Sequence, residues 1–183
     1  MPPFAPISAV DRSTFRWLRS GDGPPIFRLF AGEALVAELR WTPEMGPSAV
    51  AESAEGTWTL ERGGFLNPHV TARAEAGGPE LARLSVHLGY HLIHLPKGGV
   101  YRFHRAGLFV PAWQVTTQDR REILHLEPVR AGRTLEAGAV VVDPRARSLS
   151  ELLLLVILTW HFIVLAWFED EALVPLEGRD LPP

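Results

Sequence analysis

The chain has 183 residues, 46% hydrophobic and 21% charged, which suits one domain with a real core and excludes wholesale disorder. Its net charge of −3 argues against a nucleic-acid-binding protein, which normally carries a strongly basic surface. The absence of cysteine excludes disulfides, thiolate nucleophiles and cysteine-ligated metals, and it is compatible with the cytoplasmic location that we expect.

Most of the chain up to residue 142 is predicted to form short strands. The 16 glycines and 16 prolines contribute turn signals, spaced at roughly 8–12 residues as in β-sandwiches and barrels. Apolar residues at every second position, such as Leu35, Ala37, Leu39 and Trp41, indicate half-buried strands. The predicted strands span residues 27–30, 34–41, 56–62, 70–73, 84–88, 90–95, 100–104, 108–115, 122–126 and 139–142.

A helix is predicted near the end of the chain, at about residues 148–168. Ser148, with Glu151 three residues later, has the spacing of a capping box at a helix start. Residues 152–168 are almost wholly apolar, and the acidic residues 169–171 are expected to end the helix. A helix that is apolar on every side must be buried on every side.

Two environments would bury such a helix. One is the interior of its own protein. The other is a bilayer, although the apolar run is only about 25 Å long, near the lower limit for a spanning segment. A single-pass membrane protein with residues 152–168 in the bilayer is therefore the alternative, and Arg145 and Arg147 before the run would fit its cytoplasmic side. The N-terminus lacks the pattern of a secretory signal.

Several segments, taken in order, resemble the tubby C-terminal, LURP-one-related and scramblase-like superfamily in its small bacterial form. They are residues 37–41 (AELRW), 56–62 (GTWTLER) followed by Gly64, Phe65 and Pro68, 98–103 (GGVYRF), and 152–158 before Trp160. The resemblance implies a mainly β fold over residues 14–173. This fold is a closed antiparallel β-barrel of about 12 strands that encloses one hydrophobic C-terminal α-helix. Residues 1–13 are expected to be flexible, and residues 174–183 to form a polar, Pro-containing tail.

The helix itself is predicted to be the structural core of that barrel. A barrel has no sheet edges but needs its interior filled, and an all-apolar helix needs dry surroundings. The core helix residues are predicted to be Leu153, Ile157, Trp160, His161, Val164 and Trp167. His161 is expected to be a neutral histidine hydrogen-bonded to a strand carbonyl, with Thr159 or a water nearby. The other interpretation is a group that titrates or contacts a ligand inside the barrel.

No catalytic residues, metal ions or cofactors are predicted. His87, His91 and His94 would share a face on a helix and could bind Zn²⁺ there. Strand alternation instead puts His87 and His91 on one face and His94 on the other. A metal-dependent enzyme using these three histidines is the remaining alternative to a non-enzymatic protein. Ser148 and Ser150 lack a nucleophile motif, and no phosphate-binding loop is present.

The candidate binding site consists of arginines. Arg102, Arg105, Arg120 and Arg121 are predicted to gather at one end of the barrel. In the tubby branch of the superfamily such groups hold phosphoinositide headgroups, and arginine suits two-pronged contacts with phosphate. The expected partner is therefore an anionic membrane surface or a protein, and the alternative is solvated charges on strand faces. The lipidated cysteines of the scramblase branch are missing, so that activity is not carried over.

Overall fold

The structure is a computed structural model. It describes residues 4–21, 23–41, 48–74, 76–96, 99–107, 111–132 and 134–173, with side chains in the final helix as far as residue 167. Part of the predicted strand at 108–115, Lys97 in a predicted turn, and the predicted tail at 174–183 lie outside the described residues.

Twelve antiparallel strands form a closed barrel, which confirms the predicted fold class. Each strand pairs with its neighbours in sequence, and β1 also pairs with β12 to close the ring. The strands are β1 Thr14–Ser20, β2 Ile26–Ala31, β3 Ala34–Trp41, β4 Ala49–Ser53, β5 Gly56–Gly63, β6 His69–Arg73, β7 Glu80–His87, β8 Tyr90–His94, β9 Val100–Ala106, β10 Ala112–Thr116, β11 Glu122–Ala131 and β12 Thr134–Val142. Helix α1, Leu152–Leu173, follows.

Alternation along the strands divides an apolar inner face from a polar outer face. In β2, for example, Phe27, Leu29 and Ala31 are buried while Arg28 between them is half-exposed. Residues at every second position point to the same side of a sheet. The buried residues of all twelve strands form one hydrophobic cluster together with α1.

The first part of helix α1 is deeply buried and belongs to the hydrophobic cluster. Residues 155–161 are fully buried, and seven consecutive residues make almost two turns of helix. Trp160 stacks on Trp17 of β1, with ring centres 5.7 Å apart, and meets the edge of Phe27 in β2. Phe162 packs instead against rings of β8, β9 and β10. Because these strands lie on different sides of the ring, we infer that α1 runs through the barrel.

The bounds of the predicted helix are wrong at both ends. Asp143 accepts a hydrogen bond from the Arg145 backbone N–H (2.7 Å) and caps a separate 3₁₀ helix, Pro144–Ser148. The Ser148 hydroxyl donates back to the Arg145 carbonyl at 3.4 Å, so it does not cap α1. The helix begins at Leu152 and continues through the acidic residues to Leu173.

Most of the segment assigned to a bilayer in the alternative interpretation is buried in the hydrophobic core. Within the described residues, no helix combines the length and the apolar character needed to cross a membrane.

The start of the chain is more firmly attached than predicted. Ile7 lies in a short 3₁₀ helix, Ile7–Ala9, and is part of the hydrophobic cluster. The Ala5 backbone N–H donates to the Leu35 carbonyl at 2.8 Å, which fixes the segment against the start of β3.

Charged side chains on the outer face of β2, β3 and β4 pair with one another. Glu38 in β3 is only 3% exposed because its carboxylate lies between two arginines. Its Oε2 is 2.6 Å from Nε of Arg28, and its Oε1 is 3.2 Å from Nε of Arg40. Arg40 also contacts Glu52 of β4 at 2.7 Å. This network links three strands across the outside of the barrel.

Candidate functional site

The three histidines of the alternative metal-enzyme interpretation do not converge. His87 pairs with Tyr90, and His91 pairs with Val86, across a tight turn at residues 88–89. Since Tyr90 and His91 are consecutive in β8, His87 and His91 lie on opposite faces. The predicted grouping of His87 with His91 is therefore wrong, because the turn shifts the alternation. His91 faces the core, while His87 and His94 face outward. Among the described residues, no group of three or more side chains is placed to hold a metal ion.

His91 is the inward member of the three. It packs on Phe103, Trp113 and Phe162, with its ring centre 4.5 Å from that of Phe162. Burial, with a smaller contribution from the charge of His87, lowers the pKa of His91 to about 4. His91 is thus neutral at pH 7 and forms part of an aromatic cluster.

The predicted core helix residues lie in the interior. The buried ones are Leu153, Ile157, Trp160, His161 and Val164. Trp167, the last helix residue whose side chain is described, is half-buried.

His161 stacks flat on Trp41, with ring centres 5.2 Å apart. The Thr159 hydroxyl, expected near it, instead donates to the Leu155 carbonyl of the preceding helical turn at 2.7 Å.

The four predicted arginines do not gather at one end. Arg120 and Arg121 lie in the turn between β10 and β11, whereas Arg105 pairs with Trp113 at the other end of β9 and β10. Arg102 pairs with Thr116, so it lies three positions from Arg105 along β9 and on the opposite face. The Arg105 guanidinium covers the ring of Trp113 at 5.3 Å. The predicted four-arginine site is therefore not assembled.

The end of the barrel where α1 leaves it, called the exit end here, has a different character. In an antiparallel meander, alternate connections lie at the same end. The connections β1–β2, β5–β6, β7–β8, β9–β10 and β11–β12 accordingly share one end. Val164 and Trp167 of α1 lie beside the strand ends Arg19 and Phe27, which identifies this as the exit end.

Two adjacent turns at the exit end carry large apolar side chains that project into solvent. Phe65 is 99% exposed and Leu66 is 86% exposed in the β5–β6 turn, and Leu88 is 100% exposed in the β7–β8 turn. The Val86 backbone N–H donates to the Pro68 carbonyl at 3.0 Å, which joins the two turns. We call Phe65, Leu66 and Leu88 the apolar tips. The sequence patterns do not predict this exposure. Phe65 is part of the family resemblance only, and Leu88 is placed at the end of a predicted strand.

The turn that carries Phe65 and Leu66 is held by local packing. Gly64 has a φ of +77°, and a Cβ there would collide with the Asn67 carbonyl, so only glycine fits. His69 Nδ1 lies 2.9 Å from the same carbonyl and packs over the turn. The exposure of Phe65 and Leu66 thus follows from a tight turn.

Basic and aromatic side chains lie beside the apolar tips. His87, next to Leu88, stacks on Tyr90 with ring centres 5.2 Å apart. The Arg102 guanidinium covers the Tyr90 ring at 4.5 Å. Arg62, one residue from the Gly63–Gly64 pair, is exposed at the end of β5. Arg62 thus lies next to the turn of Phe65, and Arg102 reaches toward the turn of Leu88 through its contact with Tyr90.

Comparisons with known proteins add no functional assignment: no family model matches the chain, and the searches of curated proteins and of solved structures returned no match.

Proposed function

We propose that this protein is a non-enzymatic binding domain that attaches reversibly to an anionic membrane surface on the cytoplasmic side. The apolar tips would enter the interface between headgroups and acyl chains. The observation that carries the proposal is the nearly complete exposure of Phe65, Leu66 and Leu88 on two joined turns. Apolar side chains concentrated at one place on a surface commonly mark a protein or membrane contact.

The energy available from the tips suits reversible attachment. Burying one such side chain contributes about 1.5 kcal/mol at the low end of the usual range. Three tips would then contribute roughly 4–5 kcal/mol, or about a thousandfold in partitioning. This is comparable to the marginal binding given by a single myristoyl chain.

The arginines beside the tips give the proposal its preference for anionic lipid. Arg62 would lie near the headgroups when the tips are inserted, and the Arg102 guanidinium would reach toward them over Tyr90. Each basic residue near such a surface contributes about 1 kcal/mol. This location replaces the four-arginine headgroup site that the family resemblance implied. Membership of the tubby-like superfamily remains a prediction.

Sedimentation with liposomes tests the proposal. The wild-type chain is expected to sediment with vesicles of phosphatidylcholine and phosphatidylserine, and less with phosphatidylcholine alone. The double variant Phe65→Ser/Leu88→Ser is expected to bind at least tenfold more weakly, because two apolar anchors are lost. Val141→Thr is the matched control. Val141 is also an exposed apolar residue, but it lies at the end of the barrel opposite the apolar tips.

Three outcomes would contradict membrane attachment. They are no sedimentation of the wild type on anionic vesicles, sedimentation of the double variant at the wild-type level, and an equal loss in Val141→Thr. Circular dichroism of each variant checks that the barrel is intact, because the substituted side chains contact solvent and not the core.

A further inference from the structure

A cavity of about 190 Å³ lies at the exit end, between the ends of β1, β2 and β12 and the last described turn of α1. Apolar walls together with a few polar groups are common in small-molecule sites, and this cavity has both. The cavity is lined by Phe27, Leu135, Val164 and Trp167, and by the polar residues Arg19 and Thr134. The Arg130 guanidinium covers the Trp167 ring at 5.0 Å and supports that wall.

Arg19 brings a positive charge to this apolar cavity. It continues the inward series of β1 after Trp17, and it pairs with Phe27 of β2. Its Nε is buried and has no hydrogen-bond partner, and no acidic side chain of the described residues pairs with it. A buried charged donor without an acceptor is costly, and most buried polar groups in native proteins have a partner.

A bulge in β12 turns one acidic side chain of the described residues away from this place. Leu18 pairs with Ala137, so an unbroken register would put Glu136 opposite Arg19. Instead the pairing with β11 skips from Ala137 to Leu135, and Glu136 bulges outward into solvent. Leu135 is buried and forms the cavity wall in its place. The bulge thus turns Glu136 away from Arg19 and puts the apolar side chain of Leu135 in the cavity wall.

We infer that the cavity binds a small apolar monocarboxylate, with the carboxylate on Arg19 and the apolar body between Phe27 and Val164. Arginine accepts carboxylates in a two-pronged geometry in which Nε takes part. A cavity of about 150 Å³ holds benzene, so this one fits a ring with a carboxylate or a short aliphatic acid. The inference goes beyond the proposed function, because neither a membrane nor the apolar tips take part.

Calorimetric titration of the full-length chain, without lipid, tests this inference. The probes are benzoate and hexanoate. Each is compared with an alcohol that carries the same apolar group: benzyl alcohol for benzoate and hexanol for hexanoate. The wild type is expected to bind at least one acid with 1:1 stoichiometry and at least tenfold more tightly than its alcohol. Benzoate binding indicates an aromatic acid as the natural ligand, and hexanoate binding indicates an aliphatic one.

Arg19→Met is expected to bind acid and alcohol with equal affinity, because only the charge contact is lost. Its retained alcohol binding shows that the cavity is intact. Arg16→Met is the matched control, since Arg16 is exposed on the outer face of the same strand, and it should bind like the wild type. Val164→Phe fills the cavity and should abolish binding of both acid and alcohol.

The inference is overturned if the wild type binds neither acid in the millimolar range, or if Arg19→Met keeps the preference for the acid. Wild-type affinity in a folded Val164→Phe variant would place the ligand elsewhere and would overturn it as well. If Val164→Phe does not fold, the comparison of acid with alcohol in Arg19→Met decides. Because no vesicles are present, the result is independent of the sedimentation experiment.

Discussion

The position of α1 inside the barrel can be tested at Gly138, on the inner face of β12. A Cβ built on Gly138 overlaps the far edge of the Trp160 ring, at Cη2 and Cζ3. Trp160 cannot easily retreat, because Trp17 stacks on it at 5.7 Å and Phe27 closes a second side at 5.5 Å. We therefore expect Gly138→Ala to destabilise the fold even though it adds only one methyl group.

The expected loss follows from the displacement that the ring would need. Ordinary contact requires the Trp160 ring to move by roughly 1 Å within a close-packed interior. Overpacking of this kind typically costs about 1–3 kcal/mol. Replacing glycine with alanine in a strand recovers roughly 0.5–1 kcal/mol of backbone entropy, so the net loss is about 1 kcal/mol. For a chain of this length that lowers the melting temperature by about 2–4 °C.

Urea and thermal unfolding, followed by circular dichroism, measure the effect. Gly23→Ala is the matched control, because a Cβ at Gly23 has no atom within 4 Å and should leave stability unchanged. Adding Trp160→Phe to Gly138→Ala should recover stability relative to Trp160→Phe alone, since the shorter ring no longer reaches the methyl group. Gly138→Ala with wild-type stability, or a double variant without this coupling, would refute the packing of Trp160 against β12.

Two further predictions concern a buried base and a buried acid. In the folded chain the pKa of His91 is about 4, against about 6.5 when unfolded, so only the unfolded chain takes up this proton as the pH falls from 6.5 to 4. The melting temperature of the wild type should therefore fall more between pH 7.5 and pH 4.5 than that of His91→Leu. Equal decreases in the two proteins over this range would contradict the prediction. Glu38→Ala removes the carboxylate partner of Arg28 and leaves Arg40 with Glu52 alone. It should lower the free energy of unfolding in urea by about 1–2 kcal/mol after allowance for solvent screening. Glu52→Ala, at the more exposed end of the same network, should cost less than half as much, and equal losses would argue against the central role of Glu38.

Local patterns predicted ten of the twelve strands, and the two missed strands show the limit of that approach. In β4, Ala49–Ser53, the inward positions Ala49 and Ala51 are small and give little hydrophobic contrast. In β1, Thr14–Ser20, the inward series ends on Arg19, which is polar because it faces the cavity at the exit end. A strand whose inner face is unusually small or charged cannot be recognised from alternation alone.

The functional residues were harder to predict than the fold, because they depend on pairing between strands. His87 and His91 lie on opposite faces because a two-residue turn separates them. Alternation counted along one continuous strand would have put both on the same face. Arg105 and Arg121 are close in sequence order along the meander, yet their register puts them at opposite ends of β10. The bulge that turns Glu136 away from Arg19 leaves no signal in the sequence.

The sequence by itself determined the strand-rich class, the turns, and the need of one all-apolar helix for dry surroundings. These properties depend on residue spacing within single elements, which the period of each element reports directly. Only the tertiary structure decided which side chains meet at the exit end. The pairing of β6 with β7 joins the turn of Phe65 to that of Leu88, and the packing of α1 against β1 and β2 puts Arg19 beside the helix. These contacts are set by register and closure over long sequence distances, which no local pattern encodes.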